Sequence, residues 1–148
     1  MCYHKGLIAA APVVEKRFEA KFENPNLYKP VVHSNGFQFP LDWVITRKDP
    51  HQIKSYRWGL IPHWARSVEE AKKIRAGTLN ARLDTLDTLP SFRDAVKFRC
   101  LIPVSHFYEY QWTDLSKKNA PKNIFRLTRP DEEVFLYRRH LFALDQSG

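Results

Sequence analysis

Apolar residues recur at steps of four at Val14, Phe18 and Phe22, and Pro12 suits a first helical position, so the spacing predicts an amphipathic helix over Pro12 to Glu23. The pattern then breaks. Asn24 to Pro40 carries prolines, turn-type asparagines and a Ser34-Asn35-Gly36 turn, which predicts a long loop with a short strand at most. Trp43 to Thr46 and Ile53 to Ile61 are β-branched and aromatic, and Lys48 to Gln52 between them reads as a hairpin connection. Ser67-Val68-Glu69-Glu70 has the form of a capping box ahead of good helix formers, with Gly77 as a stop, so a surface helix is predicted over Val68 to Ala76.

From Thr78 the chain reads as strand or extended loop, then a short helical turn near Ser91 to Val96, then two extended runs, Phe98 to Pro103 and His106 to Trp112. Asn123 to Thr128 and Val134 to Arg139 flank Arg129-Pro130-Asp131-Glu132 and predict a second hairpin; Leu141 to Gly148 has no clear period. Strand pairs interrupted by isolated helices, without βαβ alternation or internal repeats, predict a single α+β domain over residues 1–148, built mainly on antiparallel sheet.

With 148 residues, 43% of them hydrophobic, the chain is long enough to bury a core without a metal or disulfide staple. The 24 lysines and arginines against 16 acids leave a net charge of +8, which favours an anionic partner, nucleic acid first. Cys2 and Cys100 form no C-x-x-C and have no histidine pair at zinc spacing, so no metal and no cofactor are expected. A reducing cytoplasm fits these cysteines. No apolar run approaches the length of a membrane span or a signal-peptide core.

Four groups of residues could carry chemistry. If Met1 is removed, Cys2 presents an α-amine and a thiol on one carbon framework, with ordinary pKa values near ~8 and ~8.5. Such a 1,2-aminothiol condenses with an aldehyde, the amine forming an imine and the thiolate closing a thiazolidine ring; a cysteine here also simply permits removal of Met1. In Asn80-Ala81-Arg82-Leu83-Asp84-Thr85, an amide and a guanidinium two residues apart share one side of an extended segment, and the guanidinium fork suits phosphate. A solvated Arg82 beside Asp84 is the plainer alternative. Phe107-Tyr108-Glu109-Tyr110 sets a carboxylate in an aromatic strand, where it is either a proton shuttle or a water-facing edge residue. In Trp58-Gly59-Leu60-Ile61-Pro62-His63-Trp64 each tryptophan is either core or a platform for an unstacked base, with core favoured for Trp58 and exposure for Trp64.

Together with Met1-Cys2, Phe92-Arg93 and Arg99-Cys100-Leu101-Ile102-Pro103, these segments resemble the SOS response-associated peptidase (SRAP) family, in order and at similar spacing, from residue 2 to about residue 128. The resemblance implies an open, mainly antiparallel barrel with peripheral helices. It implies a protein that removes its own Met1 and uses Cys2 to trap the ring-opened aldehyde of an abasic site in single-stranded DNA as a thiazolidine crosslink. Asn80 would orient the sugar, Glu109 would shuttle protons, Arg82 would hold a phosphate, and Trp58 and Trp64 would lie on the DNA side, with Trp64 stacking near the lesion.

Tyr3 and His4 stand where the family has Gly and Arg, so His4 is a weaker phosphate contact. The family's Tyr-Asn-x-Ala-Pro segment is replaced by Val31 to Pro40; Asp84 replaces a common Glu, and Tyr110 a common Trp. The family's His-x-Arg-Met-Pro motif is absent: His140 is followed by Leu141 and Phe142, and the pattern is left near Phe135. The chain therefore reads as a member without the family's C-terminal part, with slower steps where that histidine acts and with exposed strand edges. Three other classes compete: a non-catalytic single-stranded nucleic-acid-binding module, a cysteine hydrolase acting on other peptides through Cys2 and Glu109, and an inactive remnant. Oligomeric state is left open.

Overall fold

The computed structural model describes residues 3–131 and 133–137. Among the described residues nine strands form two sheets. The first contains β1 (His4–Leu7), β3 (Val31–Asn35), β7 (His106–Trp112) and β8 (Lys122–Leu127) in the order β3-β1-β7-β8, all antiparallel. The second contains β2 (Lys21–Phe22), β4 (Leu41–Thr46), β5 (Gln52–Arg57), β6 (Cys100–Val104) and β9 (Phe135–Tyr137) in the order β2-β5-β4-β6-β9, with β2 and β5 parallel. Only Ser105 separates β6 from β7, so the chain passes directly from one sheet to the other and the pair curls into a half-barrel. Ser105 also fastens the bend: its amide donates to the Gly6 carbonyl (2.9 Å) and its hydroxyl accepts from Ile8 N (3.1 Å). The α+β, mainly antiparallel expectation holds.

Helix α1 (Ala11–Phe18) stops short of the predicted Glu23, because Glu19 turns left-handed (φ 50°) and the Glu15 carboxylate accepts from Phe22 N (3.0 Å) and Lys21 Nζ (2.7 Å), folding those residues back as β2. Helix α2 (Val68–Gly77) matches expectation; Ser67 Oγ accepts from Glu70 N (3.1 Å), while the Glu70 carboxylate reaches Arg66 N (2.7 Å). It has no buried residue.

The predicted loop at Asn24 to Pro40 holds a five-residue strand, β3, between two single 3₁₀ turns. The predicted second hairpin is not formed. β8 pairs with β7, whereas β9 crosses to the other sheet and pairs with β6, because apolar Val134 and Phe135 pack into the core and draw that segment away from β8. Arg138, Arg139, His140 and the run Leu141 to Gly148 lie outside the described residues.

The five-stranded sheet is buried on both faces. Successive strand residues point to opposite faces, and Val44 and Ile45 join different core clusters. One cluster gathers Leu7, Val14, Phe22, Tyr28, Ile45 and Ile53 under α1; the other gathers Val44, Tyr56, Trp58, Leu79, Ile102 and Val104. Leu60, Leu86 and Phe92 form a third cluster that organises the segment after β5. Lys5 and Asp42, 3% and 6% exposed, form an ion pair at 2.7 Å that ties β1 to β4 across the two sheets. No described helix is long and apolar enough to cross a membrane.

Candidate functional site

Cys2 lies outside the described residues. The residue after it is firmly held. The Tyr3 ring stacks on Phe37 (centroids 4.7 Å apart) and its carbonyl accepts from Gly36 N (2.8 Å), while Asn35 Oδ1 accepts from Phe37 N (3.0 Å) to fix that turn. Gly36 suits this close approach: a Cβ there would sit 3.1 Å from the Trp58 ring and 3.2 Å from the Tyr3 carbonyl, so those neighbours would have to give by a few tenths of an ångström.

Trp58 is the centre of this arrangement. It is 1% exposed, and its Nε1–H donates to the Leu79 carbonyl (2.9 Å), one residue before Asn80. One indole thus spans from the turn that grips Tyr3 to the segment that carries Asn80. Thr78 anchors the same segment, its hydroxyl donating to the Leu60 carbonyl (2.7 Å). Gly59, between Trp58 and Leu60, has φ +99° and lets Arg75 of α2 pass where a Cβ would stand 2.5 Å from it. The expectation of Trp58 on the DNA side is corrected: a ring this buried presents no face to a base, and its place in the Trp-Gly-Leu-Ile-Pro motif is that of a core spacer.

Asn80 is half-buried, and its Nδ2 is shielded from solvent with no hydrogen-bond partner. A buried amide donor without an acceptor costs free energy unless a ligand atom supplies one. Glu109 is half-buried on β7, next to Tyr108, which pairs with His4, so the carboxylate-bearing strand lies beside β1. His4 Nδ1 lies 3.0 Å from His33 Nε2 with the rings stacked, and the Tyr110 ring meets His4 edge-on at 5.5 Å. Burial first, and then the neighbouring His33, holds the His4 imidazole below its ordinary 6.5.

Arg82 and Trp64 belong to the segment organised by Leu60, Leu86 and Phe92. Arg82 forks onto Asp84 (Nε–Oδ1 3.0 Å, Nη2–Oδ2 2.5 Å), with both side chains more than half exposed. Trp64 is 37% exposed, and its Nε1–H donates weakly to the Pro90 carbonyl (3.4 Å). Their hydrogen bonds stay within that segment. Among the described residues no cluster of His, Cys, Asp and Glu could hold a metal ion.

Sequence reading did not single out Phe37, His33, His106 or the Lys5–Asp42 pair. Gly6 opposite His106 carried a signal in retrospect: a Cβ at Gly6 would stand 2.4 Å from the His106 ring, so the small residue and the large one fit only together.

A curled antiparallel half-barrel with its N-terminal strand held inside a sheet, a buried tryptophan spacer and an unpaired asparagine amide defines the class of domain. The chain belongs to the SOS response associated peptidase (SRAP) family, whose model matches residues 1–138. It is 40% identical over 76 residues to the abasic site processing protein YoqW of Bacillus subtilis, a stretch covering 51% of this chain and 32% of that protein. It is 31% identical over 106 residues to an abasic site processing protein of Saccharomyces cerevisiae, covering 70% and 28%. A crystal structure of a protein from Bacteroides thetaiotaomicron superposes with a TM-score of 0.78 at 32% identity, covering 91% of this chain and 57% of that one. A second, from Bordetella bronchiseptica, gives 0.68 at 25% identity, covering 91% and 61%. The matched stretches span about a third of the curated relatives.

Proposed function

We propose that the protein processes abasic sites in single-stranded DNA by covalent capture on Cys2. Hydrolysis of the Met1–Cys2 peptide bond consumes one water and frees the α-amine. The amine adds to the ring-opened aldehyde and expels one water to give an imine. The thiol then adds to the imine carbon, its proton passing to nitrogen, and a thiazolidine ring closes.

The observation that carries this reading is the Trp58 span, which brings the Asn80 segment up to the turn gripping Tyr3, the neighbour of Cys2. Asn80 Nδ2 would donate to the deoxyribose oxygen and so acquire the acceptor it lacks. Glu109 would move protons during Met1 removal and imine formation. Arg82 would exchange Asp84 for a backbone phosphate, and Trp64 would stack on a base beside the lesion. His4, largely neutral at pH 7, would contact phosphate as a hydrogen-bond donor.

The test is to mix purified protein with single-stranded DNA carrying one abasic site and to compare wild type with Cys2→Ala on a denaturing gel. A shifted band that needs both Cys2 and the lesion is expected. Salt-sensitive binding without such a band, unchanged in Cys2→Ala, would make the protein a non-covalent nucleic-acid-binding module.

A further inference from the structure

The four strands of the first sheet contain one carboxylate, Glu109, and the pleat points it away from Tyr108 and Tyr110. The pairing of β7 with β8 is regular, so Tyr108 lies opposite Arg126, Tyr110 opposite Ile124 and Trp112 opposite Lys122, each pair on one face. This is the outward face: the other side carries Lys5, paired with Asp42 of the second sheet, and Phe107, whose ring meets Phe135 of β9. The outer face thus presents a row of aromatic rings flanked by cations, with no acid in its strands. Tyr110 is 42% and Trp112 40% exposed, and Lys122 Nζ stands 4.1 Å from the Trp112 ring centroid.

We infer that the outward face of β7 and β8 is a stacking track for the single strand beyond the lesion, with Trp112 and Lys122 as its distal subsite. The inference extends the proposed function and relies on single-stranded DNA as the partner. Rings two residues apart on a strand stand roughly 7 Å from one another, close to the step between bases of an extended single strand. Base–aromatic stacking tolerates any sequence, as does a lysine that can leave the ring for a phosphate. A protein partner would be drawn to the same face by Ile124, which is 63% exposed, but the net charge of +8 and the absence of acid there favour a polyanion.

The test uses lesion-free oligothymidylates of four to twelve nucleotides and fluorescence anisotropy at several salt concentrations, with the full chain. Trp112→Ala should weaken binding of the 12-mer roughly 5- to 20-fold while leaving the 4-mer within twofold, the loss of about one stacked base. Lys122→Ala should lower the salt slope by about one. Trp112→Phe should bind like wild type, which guards against a merely misfolded Trp112→Ala. Wild-type affinity in both Trp112→Ala and Lys122→Ala overturns the track, as does self-association through this face that Ile124→Lys abolishes without weakening DNA binding. Because these oligomers hold no lesion, a Cys2-dependent crosslink alongside unaffected variants would sink the track alone. Absence of that crosslink with intact length dependence would sink only the covalent reading.

Discussion

The two sheets solve the same packing problem in opposite ways. The five-stranded sheet is covered on both faces, with Val44 and Ile53 fully buried, whereas every residue of β8 at the edge of the four-stranded sheet is exposed. The five-stranded sheet derives its rigidity from burial. The four-stranded sheet is anchored at β1 by a buried ion pair and by the Ser105 bend, and leaves the Tyr110–Trp112 end of its outer face to solvent. Burial and exposure are therefore divided between the two sheets, and substitutions should reveal the division.

The largest effect is expected where the sheets are joined. Asp42→Ala leaves the Lys5 ammonium buried and unpaired, at a cost of about 3–5 kcal/mol in urea unfolding. Lys5→Met with Asp42→Leu should recover most of that; a double variant as unstable as the single would show that the pair is not what joins the sheets. Next comes Trp58→Phe, which keeps most of the apolar volume but leaves the Leu79 carbonyl without its donor, for about 1–3 kcal/mol. It should also slow crosslinking by loosening Asn80, and unchanged rates would remove Trp58 from the positioning of the site.

A smaller effect is expected from acid. Burial holds the imidazoles of His4 and His106 below the ordinary 6.5, partly offset at His106 by the hydrogen bond it donates from Nε2 to the Val32 carbonyl (2.8 Å). The unfolded chain then takes up protons that the folded one resists, so stability is full above about pH 6.5 and declines as the pH falls through the folded values. His106→Gln should flatten this decline in melting curves taken between pH 7.5 and 5.5; an equally steep one would place the acid sensitivity elsewhere. The smallest change belongs to Ile124→Thr on the open face, within about 0.5 kcal/mol. A loss of several kcal/mol there would mean that the face is covered in solution.

Local signals were legible in the sequence. The Ser67 cap, the β4–β5 hairpin and the aromatic strand β7 each depend on residues close together in the chain. What the sequence hid were pairings that depend on distant partners. Arg129-Pro130-Asp131 looks like a hairpin turn, yet the residues beyond it pack on a sheet formed much earlier in the chain, and local turn chemistry cannot announce that. Val31 and Val32 sit in a strand although prolines and asparagines surround them, because β1 offers a ladder edge. Among the candidate residues, Asn80, Glu109, Arg82 and Trp64 are visible as motif residues, whereas the Lys5–Asp42 pair is not, since neither residue carries a local mark of burial.

The position of β1 has a consequence for the order of events during synthesis. One of its two neighbours in the sheet, β7, is made only after β2 to β6 and both helices, and pairings so far apart along the chain form slowly. The strand that follows Cys2 therefore waits, paired with β3 alone, until β7 has been made. For that interval β1 is open on the side that β7 later closes.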